Sequence, residues 1–328
     1  PVKTPRQLID TVNPQVIGQD HAKSVLANLF YYKKRARNHI LTSPEETDNE
    51  SYRIPAVLIA GPTGTGKTHL VHKMCAAAGI NTPITVDASA LVPAGIVGTT
   101  LSDVGRRIFD SCNQEAELAE HAVVFLDEFD KLLLPDFYHK SVLTQLLTMI
   151  EGSAPLPILS DRNQKTQYPD TLNTRHILFV LGGAFGIHFE ENRQGTMGFI
   201  KPPAVDDILD QQSLKTFKMP NELRGRIGQI VTLNPLSNDD LAEVCRRSTG
   251  SPLHRLQTQL RLVECTVEVT DAAVNRLVEH PLAQELGARG IFQVFNSLPI
   301  LEEIALTAPE QPNQHFVIDE GDILLPAV

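Results

Sequence analysis

Eight consecutive residues, Gly61-Pro62-Thr63-Gly64-Thr65-Gly66-Lys67-Thr68, limit what this chain can be more than any other feature. They fit the pattern GxxxxGK[ST] and follow an apolar run, AVLIA at 56–60. After them, from about His69, Leu70, Val71, Met74, Ala77 and Ala78 recur at helical spacing, and Gly79 is placed to cap the helix. Strand, glycine-rich turn and helix in that order make a phosphate cradle. The glycines let successive N–H groups face the phosphates, Lys67 reaches the β- and γ-phosphates, and the Thr68 hydroxyl ligates Mg²⁺. Gly61 to Thr68, with His69 beside them, are therefore the expected nucleotide-binding residues.

Four more short apolar runs, at 84–86, 122–126, 177–181 and 229–233, alternate with amphipathic stretches. Runs of this kind suit strands buried on both faces, so the pattern predicts a parallel α/β sheet covered by helices on both sides. Past Pro235 the pattern changes. Ser237 is placed to cap a helix whose third residue is Asp240, PLHRLQTQLRL follows, TVEV reads as a lone strand, and Thr270 opens another helix. At 328 residues the chain has room for two domains. We expect a large α/β domain over 1–235 and a smaller, mostly helical one over 236–328. LTSPEETDNES near residue 41 and SAPLPILSDRNQKTQYPD near residue 153 read as surface insertions.

The third run ends in Asp127 and Glu128, which puts two carboxylates at the carboxyl end of a parallel strand, where open α/β sheets bind ligands. Asp127 is expected to hold Mg²⁺, directly or through water, and Glu128 to polarise an attacking water. Alone, the pair would read equally well as a solvated strand end; behind a phosphate loop it completes a hydrolytic site.

Lysine plus arginine total 29 against 39 aspartate plus glutamate, a net charge of −10, which opposes binding to nucleic acid or anionic lipid. No apolar run reaches the ~18 residues of a membrane span, and PVKTPRQLID holds no signal segment, so the expected compartment is the cytoplasm. Pro1 fits either removal of Met before Pro or a trimmed start. Cys75, Cys112, Cys245 and Cys265 lie far apart without ligand spacing and read as reduced core thiols.

GPTGTGKT, FLDEFDK, IEGS, ILFVLGGAF, NELRGRI and GARGIF occur in the order found in the AAA+ protein-unfolding ATPases, and the chain resembles the ClpX type, with the HslU type next. The resemblance runs from about residue 8 to 325 and includes the entry segment VIGQDHAKSVLANLFYYKKRAR. It implies a five-stranded AAA+ sheet with a helical lid, ATP and Mg²⁺ as ligands, and Val16 and Ile17 flanking the adenine. It further implies Arg226 as the arginine finger on a neighbour's γ-phosphate, with Arg224 competing, and Arg289 as the sensor-2 arginine. Each guanidinium would meet charge developing on the transferring phosphoryl group. A homo-hexamer that unfolds protein substrates through a central pore follows from the same likeness. The alternative is a regulatory AAA+ ATPase that assembles or releases a complex without threading. A DNA-acting member of the superfamily is disfavoured by the acidity and by the lack of a winged-helix or basic-helix pattern.

The departures matter. The amino-terminal four-cysteine zinc domain of such proteins has no counterpart in these residues. Their first pore loop reads AGYVG, whereas this chain reads AGIVG, with Ile96 at the aromatic position; Ile96 either grips substrate or packs in a turn. Phe137 and Tyr138 in the shortened second pore loop are alternative gripping residues, or core. Gly182 and Gly183 stand where many AAA+ proteins carry an Asn or Thr as sensor 1; the ClpX type has a similar GGAF, so the resemblance implies no loss of activity and names no sensor-1 residue. Met197, Gly198 and Phe199 occupy the place of the tripeptide that docks on a ClpP-type peptidase, and local packing is the competing account.

Overall fold

The five apolar runs form strands because their buried backbones can be satisfied only by neighbouring strands, and the inner strands are dry on both faces. In the computed structural model, which describes residues 2–42, 53–80, 83–134, 136–158, 168–185, 213–248 and 250–324, they are β1 (Ala56–Ala60), β2 (Ile84–Asp87), β3 (Val123–Asp127), β6 (Leu178–Gly183) and β7 (Ile227–Thr232). All pair in parallel, in the order β2-β3-β6-β1-β7. Every residue of β1 and β6 is buried, as expected for inner strands covered on both faces. Because β1 and β3 flank β6, with Ala60 opposite Gly183 and Leu126 opposite Leu181, the phosphate loop and the Asp127–Glu128 pair leave the same edge of the sheet.

The chain opens with the short α1 (Pro5–Val12), and the helices around the sheet include α2 (Asp20–Thr42) and α3 (Lys67–Ala78). The end of α3 is a Schellman turn. Gly79, at φ +63°, donates to Ala76 O, and Ile80 N reaches back to Cys75 O. Next come α4 (Leu101–Ser111), opened by a Thr100–Asp103 capping box, and the short α5 (Ala116–Glu120). The series continues with α6 (Phe137–Glu151), α7 (Ser213–Thr216) and α8 (Asn221–Arg224). The core beneath them is rich in phenylalanine: Phe125, Phe129, Phe179 and Phe185 are all fully buried.

One expectation is corrected here. Within the stretch read as an insertion near 153, Leu156 and Ile158 are buried, and β4 (Leu156–Pro157) pairs antiparallel with β5 (Thr171–Leu172). Both side chains press on α4 at Gly105, where an added Cβ would lie 3.0 Å from Leu156 Cδ2. The ends of this stretch are therefore core, held by two apolar residues that its proline-rich composition conceals. Residues 159–167 lie outside the described residues.

The chain divides into two compact units, Pro1–Ile9 with Asp20–Pro62 and Lys67–Leu233, and Asp10–Gln19 with Thr63–Gly66 and Asn234–Val328. The second contains α9 (Asn238–Arg247), α10 (Pro252–Arg261), β8 (Thr266–Val269), α11 (Asp271–Glu279), α12 (Pro281–Leu286), α13 (Ala288–Asn296), α14 (Ile300–Thr307) and β9 (His315–Ile318). Ser237 and Asp240 form the capping box of α9, Ser237 Oγ accepting from Asp240 N at 3.1 Å and Asp240 Oδ2 accepting from Ser237 N at 3.0 Å. Leu241, Val274, Leu277, Ile291 and Phe295 lie at the centre of its core. The TVEV strand is not alone: β8 pairs in parallel with β9, Val267 opposite Phe316.

All four cysteines are free and buried, and burial pushes the Cys75 and Cys245 thiols up to about 12, which keeps them unreactive. Among the described residues no helix is long and apolar enough to cross a membrane.

Candidate active site

At the carboxyl edge of the sheet, Gly61 N donates to Gly183 O at 3.2 Å, tying the start of the loop to the end of β6. The loop then turns through Gly66, whose φ of +91° is open to glycine and strained for any other residue. No atom lies within 4 Å of where its Cβ would be, so the requirement there is conformational rather than steric. α3 begins at Lys67, and the first N–H groups of this twelve-residue helix have no acceptor within it, leaving a partly positive end directed along the axis. Lys67 Nζ donates to Gly61 O at 2.6 Å and Pro62 O at 3.0 Å, folded along its own loop. Thr65 is buried, and His69 is half-buried in the first turn of α3.

Asp127 meets the loop from β3. Its Oδ2 accepts from Thr68 Oγ1 at 3.0 Å, and its Oδ1 accepts from Glu128 N at 2.9 Å. Glu128 takes a left-handed conformation, φ +54°, which ends the strand sharply and starts a 3₁₀ turn, Phe129–Leu133. The Glu128 carboxylate faces Lys131, with Nζ 2.6 Å from Oε2, and Ser89 Oγ, 3.4 Å from the same oxygen. Ser89 also donates to Asp87 Oδ1 at 2.7 Å, and Asp87 is the register partner of Asp127. The hydrogen bond to Glu128 holds the Lys131 ammonium above its usual value. The sequence reading missed both neighbours of Glu128. Lys131 was accessible as a charge three residues on in a short turn; nothing local marks Ser89.

The donor chemistry fits a magnesium nucleotide. A hydroxyl and a carboxylate oxygen, 3.0 Å apart, suit a hard cation that takes oxygen ligands, and the start of α3 beside Lys67 suits phosphate. The two glycines at the end of β6 have a steric reason. A Cβ at Gly182 would lie 2.5 Å from Phe125 Cζ, and one at Gly183 would lie 2.6 Å from Phe185 Cε2 and 2.7 Å from Asp130 Oδ1. Phenylalanine fills the space that a longer residue on β6 would need. Gly182→Ala should accordingly cost ~1–3 kcal/mol as an overpacked core. Chemical denaturation should show the loss, and a second change, Phe125→Leu, should recover part of it.

Arg226 immediately precedes β7. Its Nε lies 3.1 Å from Glu151 Oε1 on α6, with the arginine side chain 41% exposed, and its carbonyl accepts from Ala56 N. Among the described residues its ion-pair partner is Glu151, not Asp127 or Glu128. The Arg224 guanidinium turns back to the Asn221 side chain of its own helix.

In the second unit Val16 is buried and Ile17 half-buried. The chain then turns through Gly18 and Gln19, both at positive φ, and the Gln19 amide bonds Asn234 both ways, at 2.8 and 3.1 Å. Arg289 is exposed in the first turn of α13.

The loop carrying Ile96 is closed at its base by Val92 N bonding Thr99 O at 2.9 Å, and its tip is apolar and exposed, Ile96 at 43% and Val97 at 100%. Ile96 therefore does not pack in a buried turn. Tyr138, in the first turn of α6, is also exposed. Met197, Gly198 and Phe199 lie outside the described residues.

Residues 57–176 match the family described as ATPase family associated with various cellular activities (AAA). The chain is 30% identical to the ATP-dependent Clp protease ATP-binding subunit ClpX of Treponema denticola, over 90% of this chain and 76% of that protein. It is 28% identical to ClpX 2 of Wolinella succinogenes, over 92% and 77% of the two chains, and 26% identical to ClpX of Porphyromonas gingivalis, over 97% and 80%. A phosphate loop, an acidic strand end beside it and likeness along nearly the whole length lead to one assignment: the chain belongs to the ClpX family of AAA+ ATPases.

Proposed function

We propose that this ATPase is a ring-forming protein unfoldase or remodeller, working on polypeptides gripped by the loop that carries Ile96. The observation that carries the reading is the exposed apolar pair Ile96 and Val97 at the tip of a loop closed at its base. Two fully or half-exposed aliphatic side chains side by side on a protruding turn are costly in water and suit transient contact with an unfolded chain.

In this reading residues 1–235 are the large ATPase domain and 236–328 the lid. The loop from Gly61 to Thr68, with His69, holds ATP, and Val16 and Ile17 flank its base. Thr68 and Asp127 would hold Mg²⁺, which supplies positive charge against the phosphate oxygens. Lys67 binds the outer phosphates, and Glu128 accepts the proton of the attacking water. Arg226 serves a neighbour's nucleotide and Arg289 its own subunit's, so activity requires a homo-hexamer, expected in the cytoplasm. No nucleic-acid partner is proposed, in keeping with the net charge of −10. The relatives' printed name, a Clp protease subunit, makes a ClpP-type peptidase the candidate partner, through Met197, Gly198 and Phe199.

Reporter unfolding measured per ATP consumed tests the reading. Ile96→Glu should lower this ratio at least ~10-fold, since a charge in an apolar grip forfeits upwards of ~1.4 kcal/mol. Ile96→Tyr should raise it. Unfolding by Ile96→Glu at the parent ratio would overturn the grip at Ile96, ATP hydrolysis with no reporter unfolding by the parent protein would favour the regulatory switch, and running the assay with and without a ClpP-type peptidase separates delivery from stand-alone remodelling.

A further inference from the structure

At the amino edge of the sheet, opposite the edge that carries the nucleotide loop, residues of α2 and the first residues of β2 and β3 line a cavity of about 50 Å³. Lys33, Lys34, Arg37 and His121 all line it, and no aspartate or glutamate does. Lys33 is only 3% exposed and His121 8%. The Lys33 ammonium donates to His176 O at 3.0 Å, and the His121 ring stacks on His176 with centroids 5.3 Å apart. Lys34 Nζ is taken up by Ala78 O and Gly79 O at the end of α3. Arg37 Nε is buried and, among the described residues, has no hydrogen-bond partner. Glu120, beside His121 in sequence, accepts from the Asn173 backbone instead. In a chain of net charge −10, cationic groups have collected around one void that no carboxylate enters.

We infer that this cavity binds one small tetrahedral oxyanion of the sulfate or phosphate class, held by Lys33 and Arg37 with His121 beside them. A buried cation is stable when it is paired, and opposite charge is what the protein does not provide here. Burial, with Arg37 adding to it, lowers Lys33 to about 7, and burial, with Lys33 next, lowers His121 to about 3. Cys75 acts on Lys33 in the other direction, but burial keeps it a neutral thiol, so it does not balance the ammonium. An oxyanion would supply the missing charge. The ammonium offers a point charge, the guanidinium a planar set of N–H donors, and the imidazole one donor more. A cavity needs ~10–15 Å³ for each water it holds, so about 50 Å³ has room for roughly four oxygens, which suits a four-oxygen ion. A nucleotide or a lipid headgroup is too large, so the ligand is the free inorganic ion. Bound there, it would tie α2 to the amino edge of the sheet.

Thermal unfolding in sulfate, with phosphate as a parallel arm, tests the site. At saturating anion, and at an ionic strength matched with gluconate, the parent should gain about 2–4 °C in Tm over the gain shown by Lys33→Met or Arg37→Met. The general stabilisation by these salts, and any ion held by the nucleotide loop, are common to the parent and both variants, so the difference reads the cavity. Arg37 is half-buried, so its variant carries the comparison should Lys33→Met fail to fold. Anomalous diffraction from crystals soaked in selenate then locates the ion, and the expected result is density within hydrogen-bond reach of Lys33 Nζ. A gain in one arm or both names the ion. Equal gains in the parent and the variants, in both arms, overturn the site. Selenate density found only at other places overturns it as well and would make any bound anion an adventitious ion only.

Discussion

Glu128→Gln is expected to lower ATP turnover at least ~100-fold while leaving the nucleotide bound, the usual loss for a positioned general base. The substitution keeps the size of the side chain and one acceptor oxygen but removes the charge that draws a proton from water. It leaves Asp127 and its bond from Thr68 untouched, and with them the oxygens proposed for Mg²⁺. Lys67→Ala should behave differently. In the proposed site Lys67 supplies a charge to bound phosphate, so its loss should appear first as weaker binding, and turnover should fall because the site is empty. Titration with a fluorescent ATP analogue, beside single-turnover hydrolysis, separates the two. Normal hydrolysis by Glu128→Gln would remove the assigned base; equal loss of binding in both variants would mean that Glu128 holds nucleotide rather than water.

Residues whose task is local were legible in the sequence. The inner strands announce themselves because burial on both faces demands uninterrupted apolar residues, and β1 and β6 have no exposed position, whereas the outer β2 and β7 are partly exposed. Ser237 and Asp240, three apart, form a capping box whose chemistry is complete within one turn. The phosphate loop is likewise a local backbone problem, solved by glycine. What failed to show was pairing at a distance. TVEV reads as a lone strand because its partner, HFVI, lies some fifty residues on, is four residues long and carries an exposed His315. Leu156 and Ile158 are hidden among prolines and polar residues, and distant contacts, with Gly105 and across to Leu172, make them core. The glycines of β6 illustrate the same limit in the site. Gly182 is a glycine because Phe125, on the neighbouring strand, occupies its side-chain space, and no spacing rule links the two. Arg226 and Glu151 are 75 residues apart, so a sequence reading weighs the arginine without the carboxylate that holds it.

That carboxylate sharpens what to expect of Arg226. If the arginine only braces α6 through its 3.1 Å contact with Glu151, then Arg226→Ala and Glu151→Gln should do similar, modest harm. The pair is partly exposed, at 41% and 24%, and such pairs contribute at most ~1 kcal/mol. If instead Arg226 reaches a neighbour's nucleotide, Arg226→Ala should cost ~10³-fold or more in turnover, the scale of an arginine finger, and Glu151→Gln should cost little. The two accounts differ by more than two orders of magnitude, so one pair of rate measurements decides between them. Mixed rings then test whether the arginine acts across a boundary. Arg226→Ala subunits keep Lys67, and Lys67→Ala subunits keep Arg226, so a boundary with the first as the binding subunit and the second as its neighbour has both groups. In random rings of equal parts, roughly a quarter of boundaries have that arrangement. Activity should therefore return in mixtures of two variants that are each inactive alone. No recovery, in rings shown by native mass spectrometry to be mixed, would place the arginine's action within its own subunit.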